Sequence, residues 1–177
     1  MLTTLITAAR GEGKTTFLTR YVRNLVGAGC SVGGIVSPAV FDGDERIGYD
    51  LIDLRTGDRR ELSRVAAAAE RPDVGVYRFD VAAIDAGRRA LISATSAALD
   101  VIAIDEVGPL EFRGQGWAPA LEVVLGACSG CQELVVVVRP SLVDELPARF
   151  PSPLWAASRR ISPPWPGDEG RLEPISG

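Results

Sequence analysis

Histidine is absent from this chain of 177 residues, and cysteine occurs only three times. Without histidine, the chain cannot form an imidazole-based catalytic triad, a histidine-activated cysteine nucleophile or an HExxH zinc site. Cys30, Cys128 and Cys131 are too few for a four-cysteine zinc site, so we interpret the pair at 128 and 131 as part of an ordinary loop between a helix and a strand. A low, odd cysteine count is typical of a reducing compartment, and we expect a cytoplasmic protein.

Long apolar stretches are also missing. The longest run, residues 134–138, has the length of a buried strand, whereas a bilayer requires about 18 consecutive apolar residues. The start of the chain lacks the basic residues and the apolar length of a secretory signal. A net charge of −4 and a pI of about 5.0 disfavour sequence-independent binding to nucleic acid or to an anionic membrane. We therefore expect no nucleic acid and no membrane as a partner, and the oligomeric state stays open, a monomer included.

Lysine is nearly absent as well. Of the 19 basic residues only Lys14 is a lysine, and all the others are arginines. The hydrophobic class makes up 46% of the chain and charged residues 24%, which is the balance of a folded globular protein. Because lysine survives at one position alone, we expect Lys14 to perform chemistry that arginine cannot.

Apolar, β-branched runs alternate with helical periodicity, which predicts an α/β domain with a mainly parallel sheet flanked by helices. Strands are predicted at residues 2–7, 32–37, 101–106, 134–138 and 153–157, and helices at residues 14–28, 81–99, 117–128 and 141–150, the last bent at Pro147. The dipeptide Asp42-Gly43 predicts a hairpin in a small antiparallel insertion over residues 35–65.

Two further expectations concern the second helix and the chain's end. Asp80 is the predicted N-cap of the second helix, and its apolar stripe is predicted to comprise Ile84, Leu91, Ile92 and Ala98. We expect one domain over residues 1–161. Residues 162–177 are rich in proline and glycine, so we expect them to form a C-terminal tail.

The segment between the first strand and the first helix matches a phosphate-binding loop, G-x-x-x-x-G-K-[ST], with alanine in place of the first glycine. Gly11 and Gly13 remain where the backbone must approach an anion closely. Backbone N–H groups and the helix N-terminus would surround phosphate, Lys14 would reach the β- and γ-phosphates, and the Thr15 hydroxyl would ligate Mg²⁺. The predicted nucleotide-binding residues in this loop are Ala8, Ala9, Arg10, Gly11, Glu12, Gly13, Lys14, Thr15 and Thr16.

Two carboxylates end the apolar strand at 101–106. Asp105 is the predicted ligand of Mg²⁺, because a phosphate-loop enzyme needs a carboxylate on a second strand. Since successive side chains diverge in a strand, we assign Glu106 the separate role of general base that polarises the attacking water. Lys14 is the other predicted catalytic residue. Arg139 follows the strand at 134–138 and is a candidate γ-phosphate sensor, with a capping role as the alternative.

A few other residues are given smaller roles. Glu111 is a candidate supporting residue behind the acidic strand end. Trp165, like the other two tryptophans, is interpreted as a packing residue and not as a base-stacking one. Arg159 and Arg160 could contact base or phosphate, but we interpret them as solvated charges.

At this point the chain resembles a known family, the small P-loop nucleoside-triphosphatases first described in thermophiles, also called the cancer-related NTPase family. The resemblance rests on residues 6–16, on residues 33–54, on Asp-Glu-Val-Gly-Pro-Leu-Glu at 105–111 and on Leu-Val-Asp-Glu at 142–145. It implies a RecA-like P-loop sheet, Mg²⁺ as cofactor and slow hydrolysis of several nucleoside triphosphates to the diphosphate and phosphate.

The sequence therefore predicts an Mg²⁺-dependent nucleoside-triphosphatase acting on ATP, GTP and other triphosphates. Two other classes stay open. A nucleotide or small-molecule kinase would use the same loop but pass the phosphate to an acceptor, and a nucleotide-dependent switch or cofactor-assembly protein would turn over only with a partner. A guanine-specific G-domain is disfavoured, because its base-reading motif needs a second lysine.

Overall fold

The computed structural model describes residues 1–68, 70–127 and 130–165. Its strands are β1 (Leu2–Thr7), β2 (Val32–Val36), β3 (Ala39–Asp42), β4 (Glu45–Asp53), β5 (Arg59–Val65), β6 (Tyr77–Phe79), β7 (Val101–Val107), β8 (Glu133–Val138) and β9 (Ser158–Ile161). Its α-helices are α1 (Lys14–Gly27), α2 (Val81–Ser96), α3 (Pro109–Phe112), α4 (Ala118–Ala127), α5 (Pro140–Val143) and α6 (Leu146–Arg149).

The described strands form one sheet in the order β6-β5-β4-β2-β7-β8-β1-β9, with β3 paired to β4. Strands β2, β7, β8, β1 and β9 run parallel to one another. Strands β4, β5 and β6 extend the sheet antiparallel from β2, and the Asp42-Gly43 turn lies between β3 and β4 as predicted. The predicted fold class is confirmed, and the antiparallel insertion is part of the main sheet.

Helices cover both faces of the parallel strands and create two cores. On one face α1 buries Phe17, Leu18 and Tyr21. The opposite face is covered by α2 and α4. Alternate residues of β8 belong to the two cores, which explains why its sequence is a continuous apolar run. Among the described residues, no helix is both long and apolar enough to cross a membrane.

The predicted apolar stripe of α2 is partly wrong. Ile92 is 43% exposed, and the helix instead buries small residues together with Leu91. The reason is close packing: a Cβ atom at Gly87 would lie 2.5 Å from the Trp117 ring. The helix also ends at Ser96, earlier than predicted. The predicted N-cap is confirmed, since the Asp80 side chain accepts from the backbone N–H groups of Ala82 and Ala83.

The C-terminal third departs further from the prediction. The helix expected at 141–150 is two short helices, and Pro147 lies in the first turn of α6, where its missing N–H costs nothing. Residues 153–157 form a 3₁₀-helix, and the last strand is β9, one segment later, where it pairs with β1. Cys128 and residues 166–177 of the predicted tail lie outside the described residues.

The interpretation of Arg159 as a solvated charge is only partly right, because the side chain is 45% exposed but is also paired. Its guanidinium donates to Tyr21 Oη (2.9 Å) and lies 3.2 Å from an oxygen of Glu133, whose side chain is fully buried. These residues sit at the start of β8 and on α1, so Arg159 ties the edge strand β9 to the sheet. Pairing with a buried carboxylate is a tertiary contact, which the local sequence does not reveal.

Candidate active site

The predicted phosphate loop joins β1 to α1 at the edge of the sheet where the parallel strands end. Gly11 and Gly13 have φ angles of +87° and +78°, a conformation that side-chain-bearing residues adopt only with strain. Gly13 is also the N-cap of α1, so the first backbone N–H groups of the helix are left for a ligand. The local sequence thus builds an anion-binding turn at the start of α1.

Hydrogen bonds within this loop fix its conformation. Lys14 is 6% exposed, and its Nζ donates to the carbonyl oxygens of Ala8 (2.9 Å) and Ala9 (3.1 Å). The backbone N–H of Ala9 donates to a carboxylate oxygen of Glu12 at 2.7 Å. Ala8 is buried, whereas Lys14 borders the cavity beside the loop.

Arg10 turns away from the loop. Its guanidinium lies over the Tyr77 ring at 5.9 Å, and an Nη atom is 3.5 Å from the Tyr77 hydroxyl. Tyr77 belongs to β6, so Arg10 faces the antiparallel extension in this structure. Its predicted contact with phosphate stays a prediction.

Strand β7 presents both predicted carboxylates to the same cavity. Between the Ile104–Val136 and Val107–Val138 pairs, β7 contains one residue more than β8, which is a β-bulge. A bulge interrupts strict alternation and re-aims side chains. Asp105 and Glu106 therefore both line the cavity, although the alternation of a regular strand would send them to opposite sides.

Asp105 is almost completely buried, at 1% exposure. One of its carboxylate oxygens accepts from the backbone N–H of Ser37 at 3.0 Å, and the other has no hydrogen-bond partner among the described residues. Burial raises the pKa of Asp105 to about 7, against the opposite effects of the Ser37 amide and the Thr15 hydroxyl. A buried, half-satisfied carboxylate beside a threonine hydroxyl fits a cation, because two hard oxygen ligands are what Mg²⁺ takes from proteins of this kind.

Glu106 is paired with two cations. Its Oε1 accepts from Nε of Arg139 at 2.7 Å, and its Oε2 lies 3.6 Å from Nζ of Lys14. The Glu106 side chain is 27% exposed, so it is accessible from the cavity. The structure thus brings together Lys14, Thr15, Asp105, Glu106 and Arg139, which stand far apart in the sequence.

Glu111 was predicted only as a supporting residue, and the structure shows what it supports. Its two oxygens accept from the backbone N–H groups of Gly108 (2.8 Å) and Trp117 (2.9 Å). The side chain is 3% exposed, and burial raises its pKa to about 7. It therefore holds the segment that follows Glu106. A glutamate three residues after a helix N-cap is a known capping pattern, so this role was recoverable from the sequence.

Ser37 and Trp165 were not predicted to belong to the site. Ser37 follows β2 and holds Asp105 through its backbone N–H and through its hydroxyl, which donates to the Asp105 carbonyl at 2.9 Å. The Trp165 ring stacks on Phe17 with centroids 4.7 Å apart, and its indole N–H donates to the carbonyl of Glu12 at 2.9 Å. No sequence signal identifies either contact, since both depend on which strands are neighbours.

The phosphate loop, the two carboxylates of β7, Ser37 and Glu111 open onto a cavity of about 880 Å³, which Trp165 does not line. Of the predicted binding residues, Arg10, Gly11, Gly13, Lys14, Thr15, Thr16, Asp105, Glu106 and Arg139 line it, whereas Ala8, Ala9 and Glu12 do not. Small-molecule sites typically have volumes of roughly 300–1,000 Å³. The cavity therefore has room for a molecule of nucleotide size at its phosphate-loop end.

Comparison with known proteins gives concordant matches. A family model described as NTPase matches residues 3–151. Nucleoside-triphosphatase THEP1 of Ignicoccus hospitalis is 38% identical over 141 residues, which cover 79% of this chain and 77% of that protein. THEP1 of Pyrococcus abyssi is 37% identical over 138 residues, covering 76% and 72%. The solution structure of a human cancer-related nucleoside triphosphatase is similar with a TM-score of 0.67 and 27% identity, over 92% of this chain and 90% of that one.

Proposed function

The chain belongs to the NTPase family, and on that premise we propose that it hydrolyses nucleoside triphosphates, ATP and GTP among them, to the diphosphate and phosphate with Mg²⁺. The observation that carries the proposal is the convergence of Lys14, Asp105, Glu106 and Arg139 on one cavity beside the N-terminus of α1. The low cysteine content supports work in the cytoplasm.

The triphosphate would bind along the loop and the start of α1. Backbone N–H groups after Gly11 and Gly13 would donate to the phosphate oxygens, and the helix dipole would add a favourable field. The Lys14 ammonium donates to the carbonyl oxygens of Ala8 and Ala9 in this structure. When the triphosphate binds, it would exchange these hydrogen bonds for hydrogen bonds to the β- and γ-phosphates. The γ-phosphate would then face Glu106 and Arg139.

Mg²⁺ would be held by the Thr15 hydroxyl and by Asp105, whose unpartnered buried oxygen supports this assignment. Among the described residues, no three His, Cys, Asp or Glu side chains are grouped to hold a metal alone, so phosphate oxygens and water would complete the coordination. When bound, the ion would offset the negative charge of the phosphates.

Glu106 would act as the base. One of its oxygens would accept a proton from the water that attacks the γ-phosphorus, while the bond from that phosphorus to the bridging oxygen breaks and the electron pair stays on the diphosphate. Arg139 donates to Glu106 at 2.7 Å and would thereby orient its carboxylate, and as the candidate sensor it would also contact the γ-phosphate. Lys14 would stabilise the charge that develops on the phosphates.

Phosphate release from ATP, GTP, CTP and UTP, each with and without Mg²⁺, tests the proposal. Release of phosphate without any acceptor is expected for a hydrolase. A kinase would form diphosphate only when an acceptor is added, and a partner-dependent switch would bind the triphosphate without turning it over.

The metal assignment has its own test. Asp105→Asn is expected to raise the Mg²⁺ concentration needed for half-maximal turnover at least about tenfold and to lower the maximal rate, because a neutral amide is a poorer ligand than a carboxylate. An unchanged Mg²⁺ titration would show that another group holds the metal.

A further inference from the structure

The cavity continues beyond the phosphate end into a region with aromatic walls. This region, the aromatic chamber, is lined by Tyr49, Leu62, Tyr77, Phe79, Ile84 and Trp117. Leu62 and Trp117 are part of the core on the α2 side of the sheet, and Tyr49, Phe79 and Ile84 pack against it, whereas α1 packs on the opposite face. The aromatic chamber is therefore the part of the cavity that lies between the antiparallel extension and α2.

The path of the chain separates the chamber from the triphosphate. A Cβ atom at Gly108 would lie 3.5 Å from Glu106 Oε1, and Glu111 accepts from the backbone N–H groups of both Gly108 and Trp117, so Gly108 and Glu111 lie between Glu106 and the chamber. A γ-phosphate is the terminal group of its nucleotide, and in the proposed arrangement it faces Glu106. The nucleoside must then extend away from Glu106, which leaves the chamber to another molecule.

Two arginines at the edge of the chamber indicate that this second molecule carries an anionic group. The Arg46 guanidinium lies 5.7 Å from the centre of the Tyr49 ring and donates to its hydroxyl at 3.1 Å. Its Nε is buried and has no hydrogen-bond partner among the residues that the structure describes. Arg10 lies over Tyr77, and the rings of Tyr49 and Tyr77 meet edge to face at 5.3 Å. Within the described part of the chain, neither arginine forms an ion pair with a carboxylate.

We propose that the aromatic chamber binds a second ligand beside the nucleoside triphosphate, a small molecule with a flat aromatic body and an anionic group. The aromatic walls bury the body of such a ligand, since apolar and aromatic linings supply most of the affinity of small-molecule sites. Arg46 and Arg10 receive the anion, and a planar guanidinium stacked on a ring suits an anionic aromatic compound in particular.

A fluorescent aromatic anion, 8-anilinonaphthalene-1-sulfonate, is the probe for this site. Its binding is measured by fluorescence and calorimetry to the wild-type protein, with and without saturating Mg²⁺ and the non-hydrolysable β,γ-imido analogue of ATP. We expect one bound probe per chain, with a dissociation constant that the analogue changes by less than about twofold. Lys14→Ala is expected to lose the analogue and keep the probe, which separates this inference from the proposed hydrolysis.

Arg46→Gln is expected to weaken probe binding by about tenfold, the loss of one favourable guanidinium contact. Arg78→Gln is the matched control, because Arg78 lies next to Tyr77 on β6 but is exposed, is paired with Glu70 and does not line the cavity. Ile84→Trp is expected to fill the chamber and abolish probe binding, while retained binding of the ATP analogue shows that the variant is folded.

Three results would overturn the inference. Displacement of the probe by the ATP analogue would place the nucleoside in the chamber. Equal affinities in Arg46→Gln and Arg78→Gln would show adsorption elsewhere on the surface. Absence of saturable binding to the wild-type protein would show that the chamber does not take an aromatic anion.

Discussion

Replacement of Glu106 by glutamine isolates proton transfer from nucleotide binding. Glutamine keeps the shape of the side chain, and its carbonyl oxygen can still accept from Arg139, but it cannot take a proton from water. The two ion pairs of Glu106 involve a side chain that is 27% exposed, so their loss should cost no more than about 1 kcal/mol of stability.

The effect on the rate should be much larger. General-base catalysis contributes roughly 10²–10⁴-fold, which corresponds to about 3–5 kcal/mol of activation free energy. In the proposed mechanism, contacts to the triphosphate would come from Lys14, from Thr15 and from the loop amides, none of which the substitution removes. We therefore expect the affinity for NTP·Mg²⁺ to stay within about threefold of wild type while hydrolysis slows at least about a hundredfold.

Single-turnover phosphate release and equilibrium binding of the β,γ-imido analogue measure the two quantities separately. Glu122→Gln is the matched control, because Glu122 is also a glutamate in an arginine ion pair, with Arg149, but does not line the active-site cavity. Unchanged hydrolysis in Glu106→Gln would remove Glu106 from the mechanism. Glu111 would be a poor replacement base, since it is 3% exposed and both of its oxygens accept backbone hydrogen bonds.

Lys14→Ala is expected to lower turnover more than about hundredfold with little change in melting temperature, because the ammonium serves the phosphates and not the core; near-normal hydrolysis would contradict the phosphate-loop assignment. Trp165→Phe keeps an aromatic ring on Phe17 but loses the bond to the Glu12 carbonyl, so KM for NTP should rise several-fold with a smaller change in kcat. In the control Trp155→Phe, the buried hydrogen bond from the indole N–H to the Phe150 carbonyl is lost, so stability should fall instead, as measured by thermal unfolding. Equal KM values in the two variants would exclude a role for Trp165 at the loop. Burial raises the pKa of Glu111 from 4.5 to about 7, so the folded protein retains a proton that the unfolded chain releases, and the free energy of unfolding should fall as pH rises from 4.5 to 7. Urea unfolding of Glu111→Gln should show a smaller fall over that range, and an identical pH profile in both proteins would refute the assignment.

The phosphate loop and the parallel sheet could be predicted because their signals are local. Gly11, Gly13 and Lys14 lie within four consecutive residues, and a turn between a strand and a helix brings successive backbone N–H groups together without help from the rest of the chain. The apolar run of β8 indicates a strand buried on both faces for the same local reason. Predictions failed where packing overrides periodicity, as at Ile92, which is exposed because α2 approaches Trp117 through Gly87.

By itself, the sequence predicted the groups proposed to do phosphate chemistry: one lysine, a threonine after it and a pair of carboxylates ending an apolar strand. Only the tertiary structure decided that Arg139 pairs with Glu106, that Arg10 turns to Tyr77 and that a second chamber opens beyond the acidic strand end. The two contacts join residues that are far apart in the sequence: Glu106 and Arg139 are 33 positions apart, and Arg10 and Tyr77 are 67 positions apart. These residues are close in space because of the order of the strands in the sheet. That order arises when both faces of the sheet are buried at once, and no single segment encodes it.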